Sequence, residues 1–262
     1  AFNVIRCLGE LERKRGIVLA SSGNFAQAFA FAGAQLGVSV VVVMLDQTST
    51  YKVSATQELG AEVVFCGRDA LNRQPTVEAI ASDRDMTAID TWEHPPVVAG
   101  HGSIGLEIIE DTPGVEQILV PVSSGGVAAG IATAVKLSSP RVRIIGVQPE
   151  GANAYFLSRK AGKPVTLSHW DTIADGLSAR FPGAYPFRHL QEYLDDVVLV
   201  SEKDIAASFR SLLYRAKLLV EPAGAVAPAA FLSDKVDQNR TTVAAVTGGN
   251  VTAEIVQTLL NP

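Results

Sequence analysis

Cysteine is almost missing from this chain: Cys7 and Cys66 are the only two, far apart and in no ligand or redox spacing. That excludes a disulfide framework and a thiolate metal knuckle, and fits a reducing, cytoplasmic compartment. Basic runs are lacking as well. With 22 Lys and Arg against 27 Asp and Glu, and a net charge of -5, no stripe of cations is available to neutralise a nucleic-acid backbone. Long apolar runs are also lacking. The strongest, Val38 to Leu45, is far too short to cross a bilayer, and the N-terminus has no signal-peptide layout. Neither nucleic acid nor a membrane is expected as a partner.

What the chain does have is enough apolar residue for a large core, 47% of 262 residues with only 19% charged, and length for two lobes. Apolar, β-branched segments alternate with helical patterns from end to end, the signature of a doubly wound α/β fold with mainly parallel sheets. Strands are expected near 16–20, 39–45, 62–66 and 86–90, then near 117–122, 143–147, 197–200 and 242–246. Helices are expected between them, including one from Val4 to Arg15 and one from Phe25 to Leu36. In the latter Phe25, Phe29, Ala32 and Leu36 share a face at helical spacing and read as core. A smaller lobe over 1–94 and a larger one over 95–262 follow, with a hinge at Trp92–Pro96 and an irregular crossover from Gly162 to Tyr185.

The most informative stretch is Ser123-Ser124-Gly125-Gly126-Val127, between the strand ending at Val122 and a helix beginning near Ala128. A strand that turns through Ser and Gly into a helix aims unpaired N–H groups and the positive helix end at one point. Phosphate suits such a cradle; a tight turn binding nothing is the alternative. No Walker lysine and no dinucleotide fingerprint is present, so neither ATP nor NAD is indicated. Three other strand ends, around Ser22, His94 and Thr247, also carry polar or glycine residues, where ligands of open α/β sheets lie.

Ser21-Ser22-Gly23-Asn24-Phe25-Ala26-Gln27 resembles a segment of the fold-type II pyridoxal-phosphate enzymes of the threonine dehydratase and serine racemase group. The likeness continues through Lys52-Val53, Ala99-Gly100-His101-Gly102-Ser103, the cradle and Glu192-Tyr193-Leu194-Asp195-Asp196. It extends to Glu221-Pro222-Ala223-Gly224-Ala225 and Thr247-Gly248-Gly249-Asn250. It implies the two-lobed fold of the tryptophan synthase β-subunit and pyridoxal 5'-phosphate as cofactor, held by Asn24, Ser123, Ser124, Gly125, Gly126, Val127 and Thr247. Ser21, Ser22, Gly23 and Asn24 would take the substrate carboxylate, with Ser22 as a catalytic proton donor in racemase-like members. Asn24 also reads as a helix N-cap. The implied reaction is β-elimination from L-threonine or L-serine to a 2-oxo acid and ammonia, by a homo-oligomer, dimer or tetramer.

The departures matter. The family's Schiff-base lysine would fall upstream of Ala1 and is absent from this sequence, so the chain is expected to lack its first segment and larger-lobe strands, and to be inactive alone. Phe25 stands where the family has His, and Ser123 and Ser124 stand for two glycines. The acidic positions of a racemase-like cation site correspond to Gln148 and Ala154, and His94 and His101, placed in the hinge and following loop, have no ligand cluster, so no metal is expected. His169 and His189 are placed on the crossover. Three rival readings stay open: a serine racemase or dehydratase of another hydroxy amino acid, a non-catalytic binder of pyridoxal phosphate or amino acids, and a structural domain.

Overall fold

The structure is a computed structural model and describes residues 1–261. The chain forms two compact units, Ala1–Gly100 and His101–Pro262. In the first, helices α1 (Phe2–Cys7) and α2 (Glu10–Arg15) precede β1 (Ile17–Ala20), α3 (Asn24–Leu36), β2 (Val40–Met44), α4 (Thr50–Glu58), β3 (Glu62–Phe65), α5 (Arg73–Asp83) and β4 (Thr87–Ala88). The strands are parallel, in the order β3-β2-β1-β4. Alternate residues bury on opposite faces, as a sheet covered on both sides requires. Ile17, Leu19, Val40, Val42 and Met44 pack with Val4, Ile5 and Phe29, while Val18, Val41 and Val43 pack with Val77 and Ile80 of α5. The expected apolar face of α3 is there: Phe29 and Ala32 are buried, and Phe25 and Leu36 lie against the same cluster.

Helix α6 (Pro95–Asp111) carries the chain into the second unit. There β5 (Gln117–Pro121), α7 (Gly126–Ser138), β6 (Arg143–Pro149), α8 (Ala154–Ala161), α9 (Ala184–Tyr193) and β7 (Asp196–Val200) are followed by α10 (Glu202–Ser211), α11 (Val226–Leu232), β8 (Thr242–Ala244) and α12 (Ala253–Leu260). Its parallel order is β7-β6-β5-β8. Leu119, Ile145, Val147 and Val200 meet Ile205, Phe209, Val226 and Ala230 in its core. One tie inside that core is testable: the buried Ser208 hydroxyl donates to the Ala225 carbonyl at 2.8 Å. Ser208→Ala leaves a buried acceptor short of a donor, an expected loss of about 1–2 kcal/mol, read as a lower urea midpoint at unchanged slope.

Four local expectations are corrected. The single helix over Val4–Arg15 is two, because Leu8 turns extended (φ -69, ψ 144) to bury its side chain and Gly9 restarts the helix with its N–H on the Glu12 carboxylate at 2.7 Å. His101 lies in α6, not in a loop: Pro95 suits a first helical turn, and burial of Val97 and Val98 outweighs the low propensity of the glycines. His189 lies on α9. The residues from Glu202 to Lys217 read as one helix by their pattern, but the helix ends at Ser211, then widens into a π-turn over Leu212–Ala216 that stops at Lys217, φ 60.

Candidate active site

In each unit the strand order reverses beside the central strand, between β1 and β4 in the first and between β5 and β8 in the second. Connections leave such a point in opposite directions, so a crevice opens at the carboxyl ends of the two strands. Every residue expected to bind a ligand follows the carboxyl end of β1, β5 or β8, strands that flank these two reversals. In the first unit β1 runs into Ser21, whose N–H continues the ladder to the Val43 carbonyl at 3.2 Å. The Ser21 hydroxyl accepts from the Gly23 N–H at 3.3 Å. Gly23, rather than Asn24, is the N-cap of α3, and no side chain caps this helix end. Asn24 is therefore the first helical residue, exposed at the crevice. Ser22 Oγ accepts from Thr48 at 3.1 Å and from Arg73 at 3.3 Å.

In the second unit β5 leads through Val122 and Ser123 to Gly125, the left-handed N-cap of α7 (φ 105). No side chain caps this end of the 13-residue helix. The crossover braces the turn from outside. Gly183 N–H donates to the Ser124 carbonyl at 2.9 Å, Ala179 N–H to the Ser123 hydroxyl at 3.4 Å, and Pro186 and Leu190 pack on Gly125. Thr247 follows β8, the strand paired with β5, so its turn borders the cradle's crevice. That turn is held by Glu221, which is buried: its N–H reaches the Gly248 carbonyl at 3.3 Å and its carboxylate accepts the Asn250 N–H at 3.2 Å. Sequence reasoning gave Glu221 no role, although the Glu-Pro-Ala-Gly-Ala run marked its neighbourhood.

His101 is the other residue without an assigned role. Its ring lies 3.8 Å from where a side chain on Gly126 would begin, and burial lowers its pKa from 6.5 to about 4. It is neutral beside the cradle at physiological pH. Between those two values the unfolded chain holds more protons, so the stability it contributes is complete above pH 6.5 and is lost as pH falls through 4. His101→Phe is expected to flatten the fall in urea midpoint between pH 7 and pH 4.5; an unchanged slope would assign the acid sensitivity elsewhere.

Residues 1–248 match the sequence profile of the family described as "Pyridoxal-phosphate dependent enzyme". The chain belongs to this family. Its relatives include the catabolic L-threonine dehydratase TdcB of Escherichia coli strain K12, 40% identical over 254 residues that cover 96% of this chain and 77% of that protein. The L-threonine ammonia-lyase of Thermotoga maritima is 35% identical over 261 residues, covering 100% of this chain and 65% of its own length. Among solved structures, the processed form of threonine deaminase isoform 2 from Solanum lycopersicum superposes with a TM-score of 0.93 at 32% identity, over 98% of this chain and 76% of that one. Maize serine racemase gives 0.93 at 29% identity, over 99% and 80%. The two-unit, parallel α/β architecture is that of fold-type II enzymes.

The β5–α7 turn fits the phosphate group of the family's cofactor. An uncapped helix start with a left-handed glycine and flanking serine hydroxyls offers donors and the positive helix end to an anion, as a phosphate group requires. No carboxylate of the β5–α7 turn opposes it. Among the described residues no helix is long and apolar enough to cross a membrane.

Proposed function

We propose that this site carries out β-elimination on a small hydroxy amino acid, L-threonine or L-serine, releasing a 2-oxo acid and ammonia. The observation that carries it is the placement of two donor-rich helix starts at two switch-point crevices, in a chain 40% identical to a protein named L-threonine dehydratase. In this reading the amides of Ser123, Ser124, Gly125, Gly126 and Val127 take the cofactor phosphate. Asn24 donates to the ring's 3-hydroxyl oxygen. Thr247 offers its hydroxyl to the ring nitrogen; a neutral partner there draws electrons less strongly than an acid would, which favours elimination over transamination. Bound pyridoxal phosphate supplies the electron sink that lets a proton leave the substrate Cα. The amides of Ser21, Ser22, Gly23 and Asn24, at the positive end of α3, would hold the substrate carboxylate. Ser22 places a hydroxyl at the same turn as proton donor. A cytoplasmic homo-oligomer, dimer or tetramer, completes the proposal.

Protein expressed from its natural coding sequence and supplied with pyridoxal phosphate is expected to form 2-oxobutanoate from L-threonine and pyruvate from L-serine. If neither oxo acid forms, the substrate assignment is wrong. Serine racemisation is the second reading, favoured by the Ser22 hydroxyl and the likeness to maize serine racemase; chiral analysis of serine after incubation decides between them.

A further inference from the structure

Two strand-end loops and the start of α5 converge on one oxygen in the first unit. Ser22, after β1, receives Thr48 from the loop after β2 at 3.1 Å and the Arg73 guanidinium, beyond β3, at 3.3 Å. A serine hydroxyl has two acceptor sites and one proton. With both acceptor sites taken, what remains is the proton itself. Arg73 is poorly placed for any structural purpose. It is the first residue of α5, where a cation opposes the helix dipole. Its Nε is buried with no hydrogen-bond partner, and it joins none of the ion pairs among the described residues. A buried donor held at such cost calls for a functional reason.

We propose that Arg73 is a positioning residue for Ser22: together with Thr48 it grips the oxygen, directs the Ser22 proton out of the β1–α3 turn toward the bound amino acid, and makes that proton more acidic. The proposal rests on the reading of this turn as the amino-acid site and adds the group that tunes it. When the Ser22 O–H bond breaks and the proton passes to a substrate atom, the negative charge stays on Oγ. There the guanidinium stabilises it by charge and the Thr48 hydroxyl by hydrogen bonding. Other ionisable groups on these loops are engaged by backbone: Asp46 accepts the Gly67 N–H at 2.9 Å and Asp69 the Leu71 N–H at 2.9 Å. The Cys66 thiol donates to the Met44 carbonyl at 3.2 Å, and at the end of β4 Asp90 accepts the Trp92 N–H at 2.8 Å and the Glu93 N–H at 3.0 Å. Arg68 is exposed.

The field at Ser22 can be read without cofactor or substrate, so its outcome is independent of whether the protein eliminates water from threonine. Ser22→Cys in a Cys7→Ala background puts a titratable thiol at the position; the Cys66 thiol is buried and is subtracted with the Cys7→Ala parent. The pH dependence of alkylation by iodoacetamide is expected to give a thiol pKa about one unit lower with Arg73 than with Arg73→Met, roughly tenfold more thiolate at neutral pH. Arg73→Lys should keep most of the shift, which a purely structural arginine would not predict. Identical titrations with Arg73 and with methionine overturn the proposal. A second readout leaves Ser22 in place: binding of L-serine to the cofactor-loaded protein, by calorimetry, should weaken about tenfold in Arg73→Met and recover in Arg73→Lys, because the Ser22 proton is no longer held toward the bound amino acid in the methionine variant. L-serine binding as tight in Arg73→Met as in the parent would overturn it too.

Discussion

Gly125→Val is expected to lower the affinity for pyridoxal phosphate, and for inorganic phosphate, by roughly a thousandfold, about 4 kcal/mol. Two independent costs add. The backbone at 125 is left-handed, φ 105, a conformation that a β-branched residue adopts only under strain of about 1–3 kcal/mol. A side chain would also start 3.0 Å from Leu190 Cδ1 and 3.1 Å from Pro186 Cβ, and crowding a packed site costs about 1–3 kcal/mol more. The turn can escape both only by rotating its amides away from the anion. Titrating each ligand separately tests the cradle apart from the ring. A Leu190→Ala change in the same background should recover the crowding part and leave the backbone part. Wild-type phosphate affinity in Gly125→Val would mean that the β5–α7 turn is not the phosphate site.

Gly224→Val should act from the other side of the same crevice, with a similar loss of cofactor affinity, about 4 kcal/mol. A side chain at 224 would run into the Thr247 carbonyl oxygen and come within 3.0 Å of the Gly248 oxygen. Both obstacles are backbone, which cannot turn aside as a rotamer can. The segment Pro222–Ala225 is buried throughout, so it cannot retreat either, and the strain passes to the Thr247 turn. Cofactor absorbance titration, with the urea midpoint measured in parallel, separates loss of the ring-nitrogen partner from general destabilisation. Unchanged binding would remove Thr247 from the proposed contacts.

Much of this was legible from residues in order. The strand-turn-helix passages at Ser21–Asn24 and Ser123–Val127 announce themselves because Ser and Gly between an apolar run and a helical pattern have a local physical meaning. Arg73 carried no such signal: a single arginine at the start of a helix reads as a solvated charge until the fold brings it to Ser22 from 51 residues away. Glu221 was similar, since its partner Asn250 lies 29 residues on. The break at Leu8–Gly9 was missed because the spacing of apolar residues hides a point where burying one leucine requires extended backbone. His101 was misplaced because glycine-rich segments have low helix propensity, and packing of the neighbouring valines decided otherwise.

The order of strands and helices and the uncapped helix start at the cradle both followed from short-range chemistry: periodicity and turn residues, each readable within a few positions. Which loops share a crevice was settled only by the parallel strand orders, since a reversal beside β1 or β5 is a property of pairing between distant segments. Contacts such as Arg73 with Ser22, or Glu221 with the Thr247 turn, exist because the sheet sets those carboxyl ends side by side, and no local pattern encodes a neighbour that the chain meets only after folding.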